Sequence, residues 1–250
     1  MVDARTGGYV DAVVELLRGE LGEDLAGVYL FGSVALEDYR PPRSDLDIAV
    51  VTERRLRPPE GASLAAPLDH RRLACPARRL ELVVYARERL AAAEVAFELD
   101  LNTGPGLYEW RDDPRTAPSP WFVLDVAIGR EHGRAVIGPP AGDVFPVQPE
   151  DRIIRAIGDS LDWHIGHGRD ADGGEADPAD TVLNACRAWR FLEERTWSSK
   201  TRAGRWALGR NDSSPVVAQA LARREAGEPG PAAAAAQEFA AGVRRLALQP

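Results

Sequence analysis

The first 149 residues alternate between helical and strand-like spacing of hydrophobic positions. Apolar residues recurring every three or four positions predict amphipathic helices, and short apolar or alternating runs predict strands. We predict strands at residues 28–31, 46–51, 80–85 and 135–137. We predict helices at residues 9–21, 64–73, 88–100 and 120–132.

The pattern changes after about Pro149, where helical periodicity continues without a convincing strand. Helices are predicted at residues 151–164, 180–196, 215–225 and 231–248, with a short piece near Trp206. A Gly- and Asp-rich loop separates the first two. The fold class is therefore α+β, with a mixed α/β domain over residues 1–149, an all-α bundle over 150–250, and a cleft expected between them.

Two acidic residues interrupt the apolar pattern of the strand predicted at 46–51. Leu46, Ile48 and Val50 share one face of this strand, whereas Asp45 and Asp47 share the other. Two carboxylates this close repel each other, so a positive group must compensate them. Mg²⁺ does so with one or two carboxylates and completes its coordination with water and phosphate oxygens.

Gly32 and Ser33 precede this acidic pair at the end of the first predicted strand. The glycine permits a tight turn, and the serine hydroxyl is a group that can hold phosphate oxygens. The alternative is a solvent-facing strand edge with incidental acids and a loop glycine. The Gly-Ser pair between two apolar runs favours the metal site.

Glu81 is a third acid, on the strand predicted at residues 80–85. If this strand pairs beside the Asp45/Asp47 strand, Glu81 becomes either a third metal ligand or a general base toward an acceptor hydroxyl. The alternative is an edge-strand glutamate paired with Arg78 or Arg79.

The composition of the chain limits the classes of molecule that it is expected to bind. The formal net charge is −8 and the pI about 5.2, which argues against nucleic acid and is compatible with a cationic small molecule. The two cysteines, Cys75 and Cys186, fit neither a disulfide framework nor a metal-binding spacing, which favours a reducing cytoplasm. We see no signal peptide and no apolar run near the ~20 residues that a bilayer requires.

Three further residues have two interpretations each. Trp110 is either a core anchor or a ring presented to a ligand. Asp177, like Asp180, precedes a predicted helix and so can simply be an N-cap. Lys200, the only lysine in the chain, suits a triphosphate or is an exposed loop residue.

Taken together, Gly32-Ser33 followed by Asp45 and Asp47 resembles the signature of the DNA polymerase beta-like nucleotidyltransferase superfamily. The segments ELVVY, YEW, VIGPP and VLNACRAW…SSKTRAGRWAL resemble one family within it, the streptomycin/spectinomycin adenylyltransferases among the aminoglycoside nucleotidyltransferases. The resemblance extends from the N-terminal helix to the Trp206 region and thins after Ser213.

This resemblance implies an N-terminal nucleotidyltransferase domain followed by a helical domain. It implies that Gly32, Ser33 and Ser44 contact the nucleotide phosphates, while Asp45 and Asp47 hold Mg²⁺, with two ions expected. It also implies that Glu81 is the catalytic base.

For the remaining positions, the resemblance implies that Trp110 and Asp177 line the aminoglycoside site. It implies that Arg187 and Lys200 contact ATP from the helical domain. The Gly-rich loop before Asp177 departs from the family pattern, so one antibiotic-binding acid is either missing or displaced to Asp172.

The functional hypothesis is Mg²⁺-dependent transfer of AMP from ATP to a hydroxyl of streptomycin or spectinomycin, with release of pyrophosphate and antibiotic resistance as the outcome. We expect a cytoplasmic monomer with no nucleic-acid or membrane partner. The alternatives are a nucleotidyltransferase acting on a protein or RNA hydroxyl, as in toxin–antitoxin systems, and a catalytically silent nucleotide-binding module.

Overall fold

The computed structural model describes residues 2–41, 43–103, 107–110, 120–166, 177–210 and 215–248, with the backbone alone for 107–110. The chain divides into two compact units, Met1–Gln148 and Pro149–Pro250.

The first unit is built on a mixed β-sheet. Its described strands are β1 (Leu25–Leu30), β2 (Leu46–Thr52), β3 (Leu80–Ala86), β4 (Leu99–Thr103), β5 (Leu107–Trp110) and β6 (Arg134–Ile137). They form one sheet in the order β5-β4-β3-β2-β1-β6. Among these strands β2 and β3 pair in parallel, and every other neighbouring pair is antiparallel.

Six helices accompany this sheet in the described residues, together with a 3₁₀ turn at Gly22–Asp24. They are α1 (Ala4–Leu21), α2 (Gly32–Ala35), α3 (Pro58–Leu68), α4 (Arg87–Ala91), α5 (Pro120–His132) and α6 (Ala141–Val144). The Asp3 side chain caps α1 by accepting a hydrogen bond from the Thr6 backbone N–H at 3.0 Å. The apolar stripe of α1, including Val13 and Leu17, is buried in the main core.

The alternation predicted for the central strands is confirmed. Leu46, Ile48 and Val50 of β2 are buried in the main core, as are Leu80 and Leu82 of β3. Because successive side chains in a strand point to opposite faces, Asp47 and Glu81 project from the other face of the sheet. One face therefore supplies the apolar core and leaves the other for chemistry.

That second face carries an aromatic cluster beyond the acids. Phe145, fully buried, has its ring centroid 5.1 Å from that of Tyr29, 4.9 Å from that of Phe31 and 6.0 Å from that of Tyr85. Edge-to-face contacts of this kind add to the hydrophobic stabilisation of buried rings. The cluster packs the far part of the face on which Asp47 and Glu81 lie.

The helix predicted over residues 88–100 is wrong. The helix α4 ends at Ala91, Ala93 adopts a left-handed φ of 58°, and the chain then enters β4. Residues 99–102 pair with β3, with Leu82 opposite Leu101, so sheet pairing overrides the local helical spacing. The segment around Glu109 and Trp110, where no strand was predicted, is strand β5.

The second unit is helical in its described parts, which confirms the predicted fold class. Its helices are α7 (Glu150–Gly166), α8 (Pro178–Glu194), α9 (Lys200–Leu208), α10 (Pro215–Ala226) and α11 (Ala233–Leu246). Their core includes Val182, Leu183 and Cys186 of α8 with Ala203 of α9 and Val217 of α10. No helix in the described parts of the chain has the length and apolar character needed to cross a membrane.

We expect Phe145→Ala to lower the free energy of unfolding of the first unit by about 3–5 kcal/mol, because it leaves a cavity among three aromatic rings. Denaturant titration with a near-ultraviolet signal measures this loss. Phe145→Leu, which keeps most of the volume, serves as the matched control and should lose less. Equal losses in both variants would contradict the cavity explanation.

Candidate active site

Two acidic side chains meet on neighbouring strands. Asp47 of β2 lies directly opposite Glu81 of β3 in the parallel register. On the other side of Glu81, Asn102 of β4 lies opposite it and donates a hydrogen bond from Nδ2 to Glu81 Oε1 at 3.3 Å. The predicted pairing of the two acidic strands is therefore observed.

Gly32 lies against Asp47 at the start of α2. It has a left-handed φ of 52°, and a Cβ atom at this position would come within 1.8 Å of Asp47 Oδ2. The carboxylate thus occupies space that a side chain at residue 32 would fill, and glycine is required for both reasons. The Phe31 backbone N–H donates to the Asp47 carbonyl at 2.9 Å, which joins this turn to β2.

Ser33 follows Gly32 in this turn and carries a hydroxyl group. Its Oγ is buried and has no hydrogen-bond partner among the described residues. Burying an unpartnered hydroxyl is unfavourable, so such an atom in a native structure calls for an explanation. A phosphate oxygen is a ligand that would accept its proton.

Asp45 is engaged by two arginines. Arg78 donates from Nε to Oδ1 at 2.8 Å and from Nη2 to Oδ2 at 2.7 Å. Arg79 Nε lies 3.2 Å from Asp45 Oδ1 and 3.3 Å from Glu81 Oε1. Guanidinium groups thus compensate the charge of Asp45 in this structure, and the alternative pairing of Glu81 with Arg79 is present.

The surroundings of Glu81 disfavour its charged form. Burial raises the pKa of this carboxyl well above 4.5, the nearby Asp45 and Asp47 raise it further, and Arg79 opposes them. The side chain nevertheless keeps 36% of its accessible surface, so solvent still reaches it. A carboxylate with a raised pKa is a stronger base once ionised, which suits proton abstraction.

Ser44 has a structural contact. Its buried Oγ accepts a hydrogen bond from the Arg40 backbone N–H at 3.1 Å, and its carbonyl accepts one from the Arg78 N–H at 3.0 Å. These bonds hold the loop that leads into Asp45. The Ser44 hydroxyl is the acceptor in the bond from the Arg40 N–H, so that bond does not use the hydroxyl proton.

These residues fit a divalent cation by their chemistry. Asp45, Asp47 and Glu81 are hard oxygen donors, Gly32 accommodates the Asp47 carboxylate, and Ser33 has a hydroxyl without a hydrogen-bond partner among the described residues. Within the described ranges no three acidic, histidine or cysteine side chains are grouped so that they could hold a metal ion by themselves. The fit is to an ion that brings phosphate and water ligands of its own.

The helical unit contains a second polar cluster. Lys200 begins α9, which corrects the alternative of a loop lysine, and its Nζ lies 2.8 Å from Asp180 Oδ1. Arg187 donates from Nε to the Ser198 carbonyl at 2.9 Å and from Nη1 to Asn184 Oδ1 at 3.3 Å. The two predicted ATP contacts are thus cations placed on α8 and α9 of one unit.

His164 of α7 belongs to this cluster and is absent from the sequence-based site. Its Nε2 lies 3.1 Å from Asn184 Nδ2. Burial lowers the pKa of His164 to about 4; Lys200 and Arg187 lower it as well, while Asp180 opposes them. The neutral ring therefore accepts from Asn184. A polar residue on the apolar face of a predicted helix was the available signal.

The two predicted antibiotic-binding residues are placed as follows. Asp177 is the N-cap of α8, accepting from the Ala179 N–H at 3.0 Å, and Arg223 Nε lies 3.0 Å from its Oδ2. The N-cap interpretation is therefore observed. Trp110 ends β5 opposite Asp100 in the register. Its side chain and the whole of Asp172 lie outside the described residues.

Comparison with known proteins places this site in a family. Residues 13–99 match the family profile described as "Nucleotidyltransferase domain", and residues 143–247 match "Aminoglycoside adenylyltransferase, C-terminal domain". The chain is 25% identical over 243 residues to an aminoglycoside (3'') (9) adenylyltransferase of Klebsiella pneumoniae, covering 88% of this chain and 85% of the relative. It is 25% identical over 218 residues to a spectinomycin 9-adenylyltransferase of Staphylococcus aureus, covering 84% and 81%.

The fold also has a solved counterpart. A spectinomycin adenyltransferase from Enterococcus faecialis, crystallised with ATP and spectinomycin, superposes with a TM-score of 0.73 at 17% identity, covering 98% of this chain and 100% of that one. The mixed sheet, with its glycine-serine turn beside an acidic strand pair, defines a nucleotidyltransferase. Within that class, the chain belongs to the aminoglycoside adenylyltransferases.

We expect the helical unit to lose stability as pH falls from about 6.5 to about 4. The unfolded chain protonates His164 near 6.5, whereas the folded chain holds its pKa at about 4, so the unfolded state binds more protons in this window. The loss attributable to His164 is about 2–3 kcal/mol.

Urea titrations at pH 7 and pH 4.5 measure this effect. His164→Gln, which cannot titrate but can still accept from Asn184, should show a smaller acid loss than wild type. His132→Gln removes a half-exposed histidine and is the control. An acid loss in His164→Gln as large as in wild type would contradict the assignment.

Proposed function

We propose that this enzyme transfers AMP from ATP to a hydroxyl of an aminoglycoside or aminocyclitol antibiotic, streptomycin or spectinomycin, in a Mg²⁺-dependent reaction that releases pyrophosphate. One observation carries the chemical part: Asp47 and Glu81 lie side by side on parallel strands, and Asp47 lies against Gly32. The acceptor class is supported by the names of relatives that match most of the chain. Antibiotic resistance would follow from such a modification.

In this proposal Asp45 and Asp47 hold cations, whereas Glu81 accepts a proton. Asp45 and Asp47 would hold Mg²⁺, which, when bound, neutralises triphosphate charge and stabilises the charge that develops at the α-phosphate. Two ions are proposed. The Ser33 hydroxyl, buried without a described partner, would donate to a phosphate oxygen.

Glu81 is the proposed general base. The antibiotic hydroxyl oxygen forms a bond to the α-phosphorus, the bond from that phosphorus to the pyrophosphate oxygen breaks, and the hydroxyl proton moves to a Glu81 carboxylate oxygen. Asn102, donating to Oε1, orients this carboxylate. The raised pKa of Glu81 favours its acceptance of the proton.

Residues of the helical unit complete the proposal. Arg187 and Lys200 would bind ATP phosphates, an interaction to which cations already held by hydrogen bonds are suited. Trp110 and Asp177 would contact the antibiotic, and the net charge of −8 favours a cationic one. We place the reaction in the cytoplasm, in a monomer, consistent with two free, buried cysteines.

We expect purified enzyme with ATP and Mg²⁺ to release pyrophosphate when streptomycin or spectinomycin is added, and to increase the mass of the antibiotic by one adenylyl group. Coupled pyrophosphate detection and mass spectrometry measure the two products. A chelator should abolish both signals. A folded preparation that binds ATP but modifies neither drug would overturn the substrate assignment.

We expect Glu81→Gln to reduce the transfer rate by about 10²- to 10⁴-fold, because the amide cannot accept the proton. ATP affinity should stay close to that of wild type, since Glu81 is assigned to the acceptor and not to the phosphates. Glu15→Gln, which removes a surface carboxylate paired with Arg18, is the matched control. Transfer at the wild-type rate in Glu81→Gln would exclude this residue as the base.

A further inference from the structure

The contact between Arg78 and Asp45 uses both carboxylate oxygens. Asp45 Oδ1 accepts from Arg78 Nε and lies next to Arg79 Nε, while Oδ2 accepts from Arg78 Nη2. A carboxylate held in this two-pronged manner presents no oxygen without a guanidinium on it. A cation that ligates Asp45 must therefore compete with these guanidinium groups for its oxygens.

The two arginines differ in their freedom to move. The Arg79 side chain is 4% exposed and bridges Asp45 and Glu81, so displacing it would leave a buried cation and disturb both acids. The Arg78 side chain is 42% exposed and forms an ion pair with Asp45. An ion pair with a solvent-exposed guanidinium is broken at little cost in free energy.

The backbone at this point is fixed. The Arg78 N–H donates to the Ser44 carbonyl at 3.0 Å, and the Leu46 N–H donates to the Arg79 carbonyl at 2.9 Å. These bonds join the segments that carry the arginines and Asp45. The Arg78 side chain can thus rotate while its Cα stays beside the acidic pair.

We propose that Arg78 is an exchangeable counter-ion. It neutralises Asp45 when the site is empty, and it moves to an oxygen of the triphosphate when a divalent cation takes Asp45. The guanidinium exchanges one planar anionic partner for another, since its donors match carboxylate and phosphate equally well. Arg79 stays in place as a positioning residue. This inference rests on the proposed function, because it assumes a cation and a triphosphate at this site.

Two binding measurements with opposite expected signs test the exchange. In Arg78→Gln, the affinity for Mn²⁺ without nucleotide, followed by electron paramagnetic resonance, should rise about three- to tenfold, because a competitor for Asp45 is gone. The affinity for an ATP analogue with an uncleavable α,β bridge, measured by calorimetry with saturating Mg²⁺, should fall about three- to tenfold, because a phosphate contact is lost.

Three further variants separate exchange from other causes. Arg78→Lys keeps the charge but loses the two-pronged contact, so its Mn²⁺ affinity should also rise. Arg71→Gln removes an exposed arginine paired with Asp69, and it should change neither affinity. Asp45→Asn should lose Mn²⁺ binding.

Several outcomes would overturn the proposal. Changes of the same sign in both affinities of Arg78→Gln, or no change in either, would exclude the exchange. A Mn²⁺ affinity in Arg78→Lys equal to that of wild type would mean that charge alone acts, without competition for Asp45. Neither measurement requires an antibiotic, so failure to modify streptomycin or spectinomycin leaves this test intact. Absence of Mn²⁺ binding in wild type would instead contradict the metal site itself.

Discussion

The charge balance on one face of the β2/β3 pair is the constraint on which the site depends. Asp45, Asp47 and Glu81 lie close enough to raise the pKa of Glu81, and such repulsion opposes folding. Arg78 and Arg79 offset part of this repulsion by pairing with Asp45 and Glu81. The folded sheet can therefore hold the three acids on one face.

One face of the sheet packs against the main core, and the other face carries the polar residues of the candidate site. Leucine, isoleucine and valine side chains of β2 and β3 fill the main core on one side. On the other, the aromatic cluster around Phe145 leaves the ends of β2, β3 and β4 to Asp47, Glu81 and Asn102. Because the acids sit on strands packed from behind, their positions are set by the rigid part of the unit. Rigid placement is what general-base and phosphate-binding chemistry requires.

In the helical unit, neutral side chains contribute to the hydrogen bonds around Arg187. His164 stays neutral because it is buried beside Lys200 and Arg187, and as a neutral ring it accepts from Asn184. Asn184 in turn accepts from Arg187. The neutral histidine thus orients the Asn184 amide, and that amide orients the Arg187 guanidinium.

The sequence by itself determined which face of each central strand is buried, because a period of two in Leu46, Ile48 and Val50 admits one arrangement. The glycine-serine and acidic motifs also indicated the superfamily, and segments such as ELVVY and VIGPP indicated the family. Most helices of the second unit could be predicted as well, because their periodicity is long and local. Tertiary structure alone decided that residues 99–103 form a strand, since their partner lies on β3 and not within their own segment. It also decided that Arg78 and Arg79, some 33 residues from Asp45, reach its carboxylate, and that His164 lies beside Asn184. Contacts between segments distant in sequence leave no periodic pattern, so folding must bring them together before they can be recognised.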